Sequence, residues 1–190
     1  MNTLENTVKN HKKPIIHKVT TVATSRLIQI EELDLEFSNG EKRVYERIAS
    51  RGNGAVLIIP ILGDEILLIR EYAAGTDRYE LAFPKGKVEK NEEFPDAANR
   101  EIMEEVGYES AKLTLLKQLS LAPGYMGHVT TIVLAEDLSE RREPGDEPEE
   151  IEVVPWKIEN IDALLERDDF AEGRSVAALY LLRLFLEKKQ

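Results

Sequence analysis

The chain has 190 residues, of which 42% are hydrophobic and 32% are charged, and its formal net charge is −11 at pH 7. This length fits one domain, or one domain with an additional N-terminal layer, and the hydrophobic content is sufficient for a core. The acidic balance argues against a general nucleic-acid binder or a protein of membrane surfaces. An anionic substrate such as a polyphosphate would need divalent cations to supply local positive charge.

The absence of cysteine excludes disulfide bonds, thiolate catalysis and cysteine-ligated zinc. Residues 1–10 are polar and lack the apolar core of a signal peptide. No apolar run reaches the roughly 18 residues of a membrane helix. From these features we expect a cytoplasmic protein that does not insert into membranes.

The first part of the chain is predicted to form an antiparallel β layer. Residues 1–14 are polar, and Ser38-Asn39-Gly40 is a hairpin signal. Strand-like alternation and β-branched side chains occur in four stretches, residues 19–24, 26–31, 33–37 and 42–48. We therefore assign residues 1–50 to an N-terminal antiparallel layer, whose uncovered strand edges favour a homodimer, and residues 51–190 to the main domain.

The main domain is predicted to contain strands, a helix, further strands and two further helices. The predicted strands are residues 55–62, 65–72, 78–83, 111–121, 129–135 and 151–158. Residues 55–62 are nearly all apolar, which is typical of a central strand. A short helix is predicted over residues 161–167, and Ser175 is predicted to cap a last helix over residues 176–188. This order favours an α+β fold with helices packed on sheet faces.

A further helix is predicted between these strands, after a polar loop over residues 86–91. Pro95 suits the first helical position and Asp96 favours the N-terminal turn. Gly107 suits the position just after the C-terminus. The helix therefore runs from Pro95 to the residue before Gly107.

Glu101, Glu104 and Glu105 share one face of this helix, because they are spaced i, i+3 and i+4. Like charges at this spacing repel one another, so something should offset the cost. A solvated acidic face is the ordinary explanation. A hard divalent cation, Mg²⁺ or Mn²⁺, is the alternative, because both prefer carboxylate oxygens. An apolar stripe beside the carboxylates predicts a half-buried face and so favours the metal site: Ala98, Ile102 and Val106.

The stretch GKVEKNEEFPDAANREIMEEVGY, residues 86–108, resembles the signature of the Nudix hydrolases. The matching positions are Gly86, Glu92, Arg100, Glu101, Ile102, Glu104, Glu105 and Gly107. Tyr108 departs from the signature, which has an aliphatic residue at this packing position. The resemblance implies an α/β/α sandwich of mixed sheets and a hydrolase that uses water to cleave a nucleoside diphosphate linked to another group.

The resemblance also implies roles for individual residues. Glu101 and Glu105 would be the main metal ligands, and the Lys85 carbonyl would add an oxygen. Glu104 would ligate a further metal or position water. The residues implied to support the loop and helix structurally are Gly86, Glu92 and Arg100.

Features outside the signature resemble the ADP-ribose pyrophosphatase branch of the family. Pro123-Gly124 follows the signature at a distance similar to that branch, in which an N-terminal sheet builds a homodimer and contacts adenine. Residues 136–150 form an acidic loop, and Asp146-Glu147-Pro148-Glu149-Glu150-Ile151 resembles the catalytic loop of the branch. The resemblance maps the group that handles the attacking water onto Glu149 or Glu147. The alternative for this loop is a disordered acidic hairpin.

Three departures from that branch concern the substrate. His128 stands where a glutamate is frequent, and Tyr72 is followed by Ala73-Ala74-Gly75 instead of an arginine. Residues 81–86 are more similar to the entry loop of diadenosine-polyphosphate hydrolases. Together these features favour the ADP compounds hydrolase subgroup, acting on ADP-ribose, adenosine dinucleotides such as diadenosine triphosphate, and NADH. The alternatives are a hydrolase of another nucleotide and a nucleotide-binding sensor without activity.

Three charged residues near the end of the N-terminal layer are candidate substrate contacts. By resemblance, Arg51 would hold a phosphate, and Glu46 and Arg47 would contact the adenine end. The alternative for each is a surface charge at a strand end. His11 and His17 are expected to face solvent.

Overall fold

The computed structural model describes residues 11–50, 52–145 and 147–189, and within them the chain forms ten β-strands, two α-helices and one 3₁₀ helix. The strands are β1 (Ile15–Thr24), β2 (Gln29–Glu36), β3 (Lys42–Ile48), β4 (Ala55–Leu62), β5 (Glu65–Ala73), β6 (Arg78–Ala82), β7 (Lys85–Lys87), β8 (Tyr108–Ser120), β9 (Val129–Glu140) and β10 (Glu152–Lys157). The helices are α1 (Phe94–Glu105), the 3₁₀ helix Ile158–Glu166 and α2 (Gly173–Glu187). No helix in the described part of the chain is long and apolar enough to cross a membrane.

The chain divides into two compact units. The first unit is Met1–Ser50 together with Ala122–Gly127, and the second is Arg51–Leu121 together with His128–Gln190. In the first unit β1, β2 and β3 form an antiparallel sheet in that order. The 122–127 segment joins this unit through Ile48, whose N–H donates to the Tyr125 carbonyl at 2.7 Å.

The predicted hairpin of the first unit is confirmed, since β2 pairs with β3 from Glu36 opposite Lys42 to Ile30 opposite Ile48. The prediction of separate strands over residues 26–31 and 33–37 is wrong, because β2 is continuous from Gln29 to Glu36. The chain turns before it, where Ser25 N–H donates to the Ile28 carbonyl at 2.7 Å and Ile28 N–H donates to Ser25 Oγ at 2.9 Å.

The second unit contains a seven-stranded mixed sheet with the path β10-β5-β4-β9-β8, while β6 pairs with β5 and β7 with β4. The central position of β4 is confirmed, since it runs parallel to β9 and antiparallel to β5 and β7.

Alternate residues of β4 belong to two different hydrophobic cores, one on each face of the sheet. Val56 and Ile58 pack with α1, whereas Leu57 and Ile59 pack with α2 and the 3₁₀ helix. The predicted α+β fold, with helices on both sheet faces and an N-terminal antiparallel sheet, is therefore confirmed.

Several predicted boundaries in the second unit are corrected. β9 continues to Glu140 because it pairs with β8 over the full length of both strands, so the acidic loop begins after Glu140 and not at residue 136. The predicted helix at residues 161–167 is a 3₁₀ helix that starts at Ile158. A short strand, β7, occupies Lys85–Lys87, where a polar loop was predicted from residue 86.

The N-terminus of α2 is also corrected, because Glu172 and not Ser175 is the N-cap. Glu172 Oε2 accepts hydrogen bonds from the Ser175 N–H at 2.8 Å and from the Ser175 hydroxyl at 3.0 Å. Ser175 Oγ accepts in turn from the Phe83 N–H at 3.1 Å. Ser175 therefore ties α2 to the end of β6 and does not start the helix.

Candidate active site

The orientation of α1 is fixed by its buried stripe and by its two ends. Ala98, Ile102 and Val106 are at most 3% exposed. The helix starts at Phe94 with Pro95 in its first turn, and Gly107 follows it with φ of 84°, a conformation that favours glycine. Ala98 and Ile102 pack with residues of β4 and β9, whereas Val106 packs with Leu67 and Ile69 of β5.

Two carboxylates on this helix are deeply buried. Glu101 is 7% exposed and Glu105 is 3% exposed. Burial raises the pKa of Glu101, and it raises the pKa of Glu105 to about 8 in spite of the opposing positive charge of Lys85. The Lys85 N–H donates to Glu105 Oε2 at 2.9 Å. Two buried acids with raised pKa values need a proton or a cation to offset their charge, which fits a site for a divalent metal.

Gly86 is required by the close approach of β7 to the buried Glu101. A Cβ atom at residue 86 would collide with the Cδ atom and both carboxylate oxygens of Glu101. Any larger residue at this position would therefore displace Glu101 from its place beside β7.

Arg100 is the centre of the hydrogen-bond network around these acids. Its guanidinium donates to both carboxylate oxygens of Glu92, at 2.9 and 3.1 Å, and to the Lys87 carbonyl at 2.9 Å. Its Nη1 also donates to Glu101 at 2.7 Å and to Glu104 at 3.1 Å. These bonds raise the pKa of Arg100 and lower the pKa of Glu92. Arg100 thus joins the loop before α1 to the helix itself.

The hydrogen bonds of Arg100 also involve the carboxylates that would bind a metal ion. In the part of the chain that the structure describes, no three histidine, cysteine, aspartate or glutamate side chains already form a metal-binding cluster. Nη1 of Arg100 contacts both Glu101 and Glu104, so these two carboxylates point at a guanidinium. The donor set fits Mg²⁺ or Mn²⁺ in chemistry, and the carboxylates would exchange arginine contacts for the cation on binding.

A cavity of about 530 Å³ brings most of the predicted site residues together. Its lining residues come from β5, β7, the loop before α1, α1 itself and the acidic loop: Glu71, Lys85, Gly86, Lys87, Glu89, Arg100, Glu101, Glu104, Glu105, Pro144, Gly145 and Glu147. We call it the carboxylate cavity. The Lys85 ammonium lies 3.0 Å from Glu71 Oε2, which adds a cation to this acidic space. Glu147 is close enough to raise the pKa of Glu101 further.

Glu149 lies in a second cavity and not among the lining residues of the first. Its Oε1 accepts a hydrogen bond from the Tyr79 hydroxyl at 2.7 Å. This second cavity has a volume of about 610 Å³ and shares Glu71 and Glu147 with the carboxylate cavity. We call it the tyrosine cavity, and its lining residues are Arg70, Glu71, Tyr72, Tyr79, Glu147, Pro148, Glu149, Glu150, Ile151 and Glu152.

The first unit has a cavity of its own, with a volume of about 340 Å³, which contains two of the predicted substrate contacts. Glu46 and Arg47 line it together with Tyr45 and the 123–127 segment. Arg47 Nε also lies 2.9 Å from Glu31 Oε2. Arg51, the third predicted contact, lies outside the described residues. His11 and His17 are both exposed, and His17 lies 2.8 Å from Glu36.

Glu71, Tyr72 and Tyr79 were not identified as candidate site residues from the sequence. Tyr79 meets Glu149 only because β6 pairs with β5 and the acidic loop returns beside them. The two residues are 70 positions apart in the chain, and no local spacing pattern places the acidic loop beside β6.

The model of the NudE-type Nudix hydrolase N-terminal domain matches residues 14–47, and the model of the NUDIX domain matches residues 53–179. ADP compounds hydrolase NudE of Escherichia coli (strain K12) is 49% identical over 179 residues, which are 94% of this chain and 96% of the relative. ADP-ribose pyrophosphatase of Bacillus subtilis (strain 168) is 30% identical over 165 residues, 86% of this chain and 89% of the relative. A solved crystal structure of ADP compounds hydrolase has a TM-score of 0.90 and 49% identity, and the match covers 95% of this chain and 98% of that one.

Proposed function

The chain belongs to the Nudix hydrolase family, and from this premise we propose that it cleaves the diphosphate of ADP compounds to AMP and a phosphorylated product. The proposed substrates are ADP-ribose, adenosine dinucleotides such as diadenosine triphosphate, and NADH. The similarity to the ADP compounds hydrolase of Escherichia coli and to the ADP-ribose pyrophosphatase of Bacillus subtilis supports this substrate class.

The observation that carries the proposal is the pair of buried acids, Glu101 and Glu105, together with a glycine, Gly86, that leaves room for Glu101. Nudix hydrolases generally use divalent metal ions, and we propose Mg²⁺ or Mn²⁺ held by Glu101, Glu105, Glu104 and the Lys85 carbonyl. A cation bound there would offset charge on the phosphate oxygens and lower the pKa of bound water. Gly86, Glu92 and Arg100 would support the site, because the Arg100 network joins the loop to α1.

The attacking water also needs a carboxylate to orient it and to accept its proton. Both Glu147 and Glu149 fit by sequence, and we propose Glu147 as the first candidate. It lines the carboxylate cavity, whereas Glu149 is bonded to Tyr79 in the tyrosine cavity. Glu104 is the third candidate, and its carboxylate is engaged by Arg100.

We propose that the adenine end binds in the first unit, which residues 1–50 supply as an N-terminal layer that also builds a homodimer. The support is that Glu46 and Arg47 line one cavity with Tyr45, whose ring is half-exposed. Phosphate binding by Arg51 stays a prediction from the sequence, as does the cytoplasmic location.

Release of the nucleoside monophosphate from each member of a panel of nucleotides tests the proposed function. The panel contains ADP-ribose, diadenosine triphosphate, NADH, GDP-mannose and a nucleoside triphosphate, each with Mg²⁺, with Mn²⁺ and with excess chelator. We expect AMP from the three ADP compounds, and we expect the chelator to abolish its release. Turnover of GDP-mannose or the triphosphate alone would favour a hydrolase of another nucleotide. Binding of ADP compounds without turnover would favour an inactive sensor.

A further inference from the structure

Tyr72 and Tyr79 form an aromatic pair on neighbouring strands. They are directly opposite each other in the β5–β6 register, and their ring centroids are 5.7 Å apart in an edge-to-face arrangement. Their side chains are 46% and 49% exposed, although both hydroxyl groups are fixed. Tyr72 donates to Asp77 at 2.6 Å and Tyr79 donates to Glu149 at 2.7 Å. The rings are therefore held in place and still present free surface.

The free surface of these rings faces the tyrosine cavity. Its other wall is the end of the acidic loop, where Pro148 and Ile151 add apolar surface. A volume of about 610 Å³ is within the range typical of small-molecule sites. Because Glu71 and Glu147 line both cavities, a group in the tyrosine cavity would be directly beside the proposed site of cleavage.

The charge of the tyrosine cavity restricts what it could bind. Five of its lining residues are glutamates, namely Glu71, Glu147, Glu149, Glu150 and Glu152. Arg70 is the single cationic side chain among the described residues that line it, and its guanidinium lies 3.0 Å from Glu152 and 2.7 Å from Asp169. A phosphate or a carboxylate would be repelled here. A flat, uncharged ring would stack on tyrosine without this cost.

We propose that the tyrosine cavity binds the uncharged aromatic heterocycle in the half of a dinucleotide that leaves as the phosphorylated product. Tyr72 and Tyr79 supply the stacking surface. ADP-ribose has no such ring in that half, so the cavity favours dinucleotides over ADP-ribose. This inference deepens the proposed function and rests on it.

The test compares diadenosine triphosphate with ADP-ribose in each variant. The ratio of kcat/KM for the dinucleotide to kcat/KM for ADP-ribose should fall about 10- to 100-fold in the Tyr72→Leu/Tyr79→Leu double variant, as expected for loss of a base–aromatic stack. The ratio cancels any effect on catalysis that both substrates share, including a shift of the acidic loop after loss of the Tyr79–Glu149 bond. Tyr79→Phe removes that bond and keeps the ring, so its ratio should stay within about threefold of the unmodified protein.

Tyr180→Leu is the matched control, because Tyr180 is 50% exposed on α2 and lines neither cavity. An unchanged ratio in the double variant, or an equal fall in Tyr180→Leu, overturns the inference. If the double variant does not fold, the single variant Tyr72→Leu is judged by the same ratio. If the unmodified protein hydrolyses neither substrate with Mg²⁺ or Mn²⁺, the proposed function itself fails, which is distinct from an unchanged ratio in active protein.

Discussion

Glu105 is the residue on which the proposed metal site depends most, because it is the most deeply buried carboxylate of α1. We expect Glu105→Gln to abolish turnover in saturating Mg²⁺ through a rise of several kcal/mol in the barrier, about the scale of a lost electrostatic stabilisation in an enclosed site. The free energy of unfolding should hold or increase. The change is isosteric, removes a buried ionisable group and keeps an oxygen that accepts from the Lys85 N–H.

The measurement is steady-state AMP release together with urea unfolding. Glu93→Gln is the control, because Glu93 is exposed and precedes the same helix. Activity of Glu105→Gln within threefold of the unmodified protein would rule out Glu105 as a ligand.

The two glutamates of the acidic loop differ in their surroundings, and that difference can be tested. We expect Glu147→Gln to lower kcat about 10²-fold, as for loss of a positioned base, with a small change in KM. Glu149→Gln should have a smaller effect on kcat, because Glu149 is held by Tyr79 and lies outside the carboxylate cavity. A larger loss for Glu149→Gln than for Glu147→Gln would reverse the assignment. If both single variants and the double variant keep full kcat, neither residue is the base, and Glu104 becomes the candidate.

Single residues were predictable from the sequence where a local pattern fixes them. The i, i+3 and i+4 spacing is enough to place Glu101, Glu104 and Glu105 on one face of a helix. Their engagement by Arg100, in contrast, depends on the rotamer of a long side chain that reaches both the loop and the helix. Sequence spacing does not determine such a rotamer.

At the scale of elements, local signals predicted some boundaries and tertiary contacts set the others. Gly107 ends α1 where it was expected to, since a positive φ after a helix is a local requirement. The end of β9 at Glu140 is set by its partner β8, which continues to pair beyond the apolar part of the strand. Ser175 is of a residue type that commonly caps helices, but the cap is Glu172, whose side chain accepts from the Ser175 N–H.

Asp169 joins β5 to the segment after the 3₁₀ helix, because Arg70 of β5 donates a hydrogen bond to its carboxylate. The contribution of this connection to stability can be measured. Hydrogen bonds from Arg167 and from Arg70 lower the pKa of its carboxyl group well below the usual range. A carboxylate whose folded pKa is lowered contributes stability above its unfolded pKa of about 3.9, and the contribution is lost as the pH falls towards the folded pKa. We expect Asp169→Asn to lower the free energy of unfolding at pH 7 by about 1 to 2 kcal/mol.

The difference in the free energy of unfolding between Asp169→Asn and the unmodified protein should be constant from pH 7 to pH 5 and should shrink below about pH 4. Urea unfolding across this pH range measures it. Asp168→Asn is the control at the neighbouring position, which is exposed. A difference that grows as the pH falls would show that the Asp169 carboxylate does not stabilise the fold through its charge.

At the scale of the whole molecule, the N-terminal sheet exposes two apolar side chains on the face opposite its buried leucines. Leu33 and Leu35 are buried on one face of the sheet. The register sets Ile15 opposite Glu36 and Val44 opposite Asp34, so both lie on the other face. Ile15 is 52% exposed and Val44 is 58% exposed. Exposed apolar side chains on a sheet are typical of an association surface.

We therefore predict a homodimer formed through this face of the N-terminal sheet. Light scattering at micromolar concentration should give twice the mass of the chain. The Ile15→Lys/Val44→Lys double variant should be monomeric at the same concentration, because it would replace two apolar contacts with charged groups in the interface. Leu184→Lys is the control, since Leu184 is 53% exposed on α2 and its change should leave the mass unaltered. A monomer mass for the unmodified protein would contradict both the dimer and any contact to adenine made across it. If the double variant is still a dimer, the interface is formed by another surface.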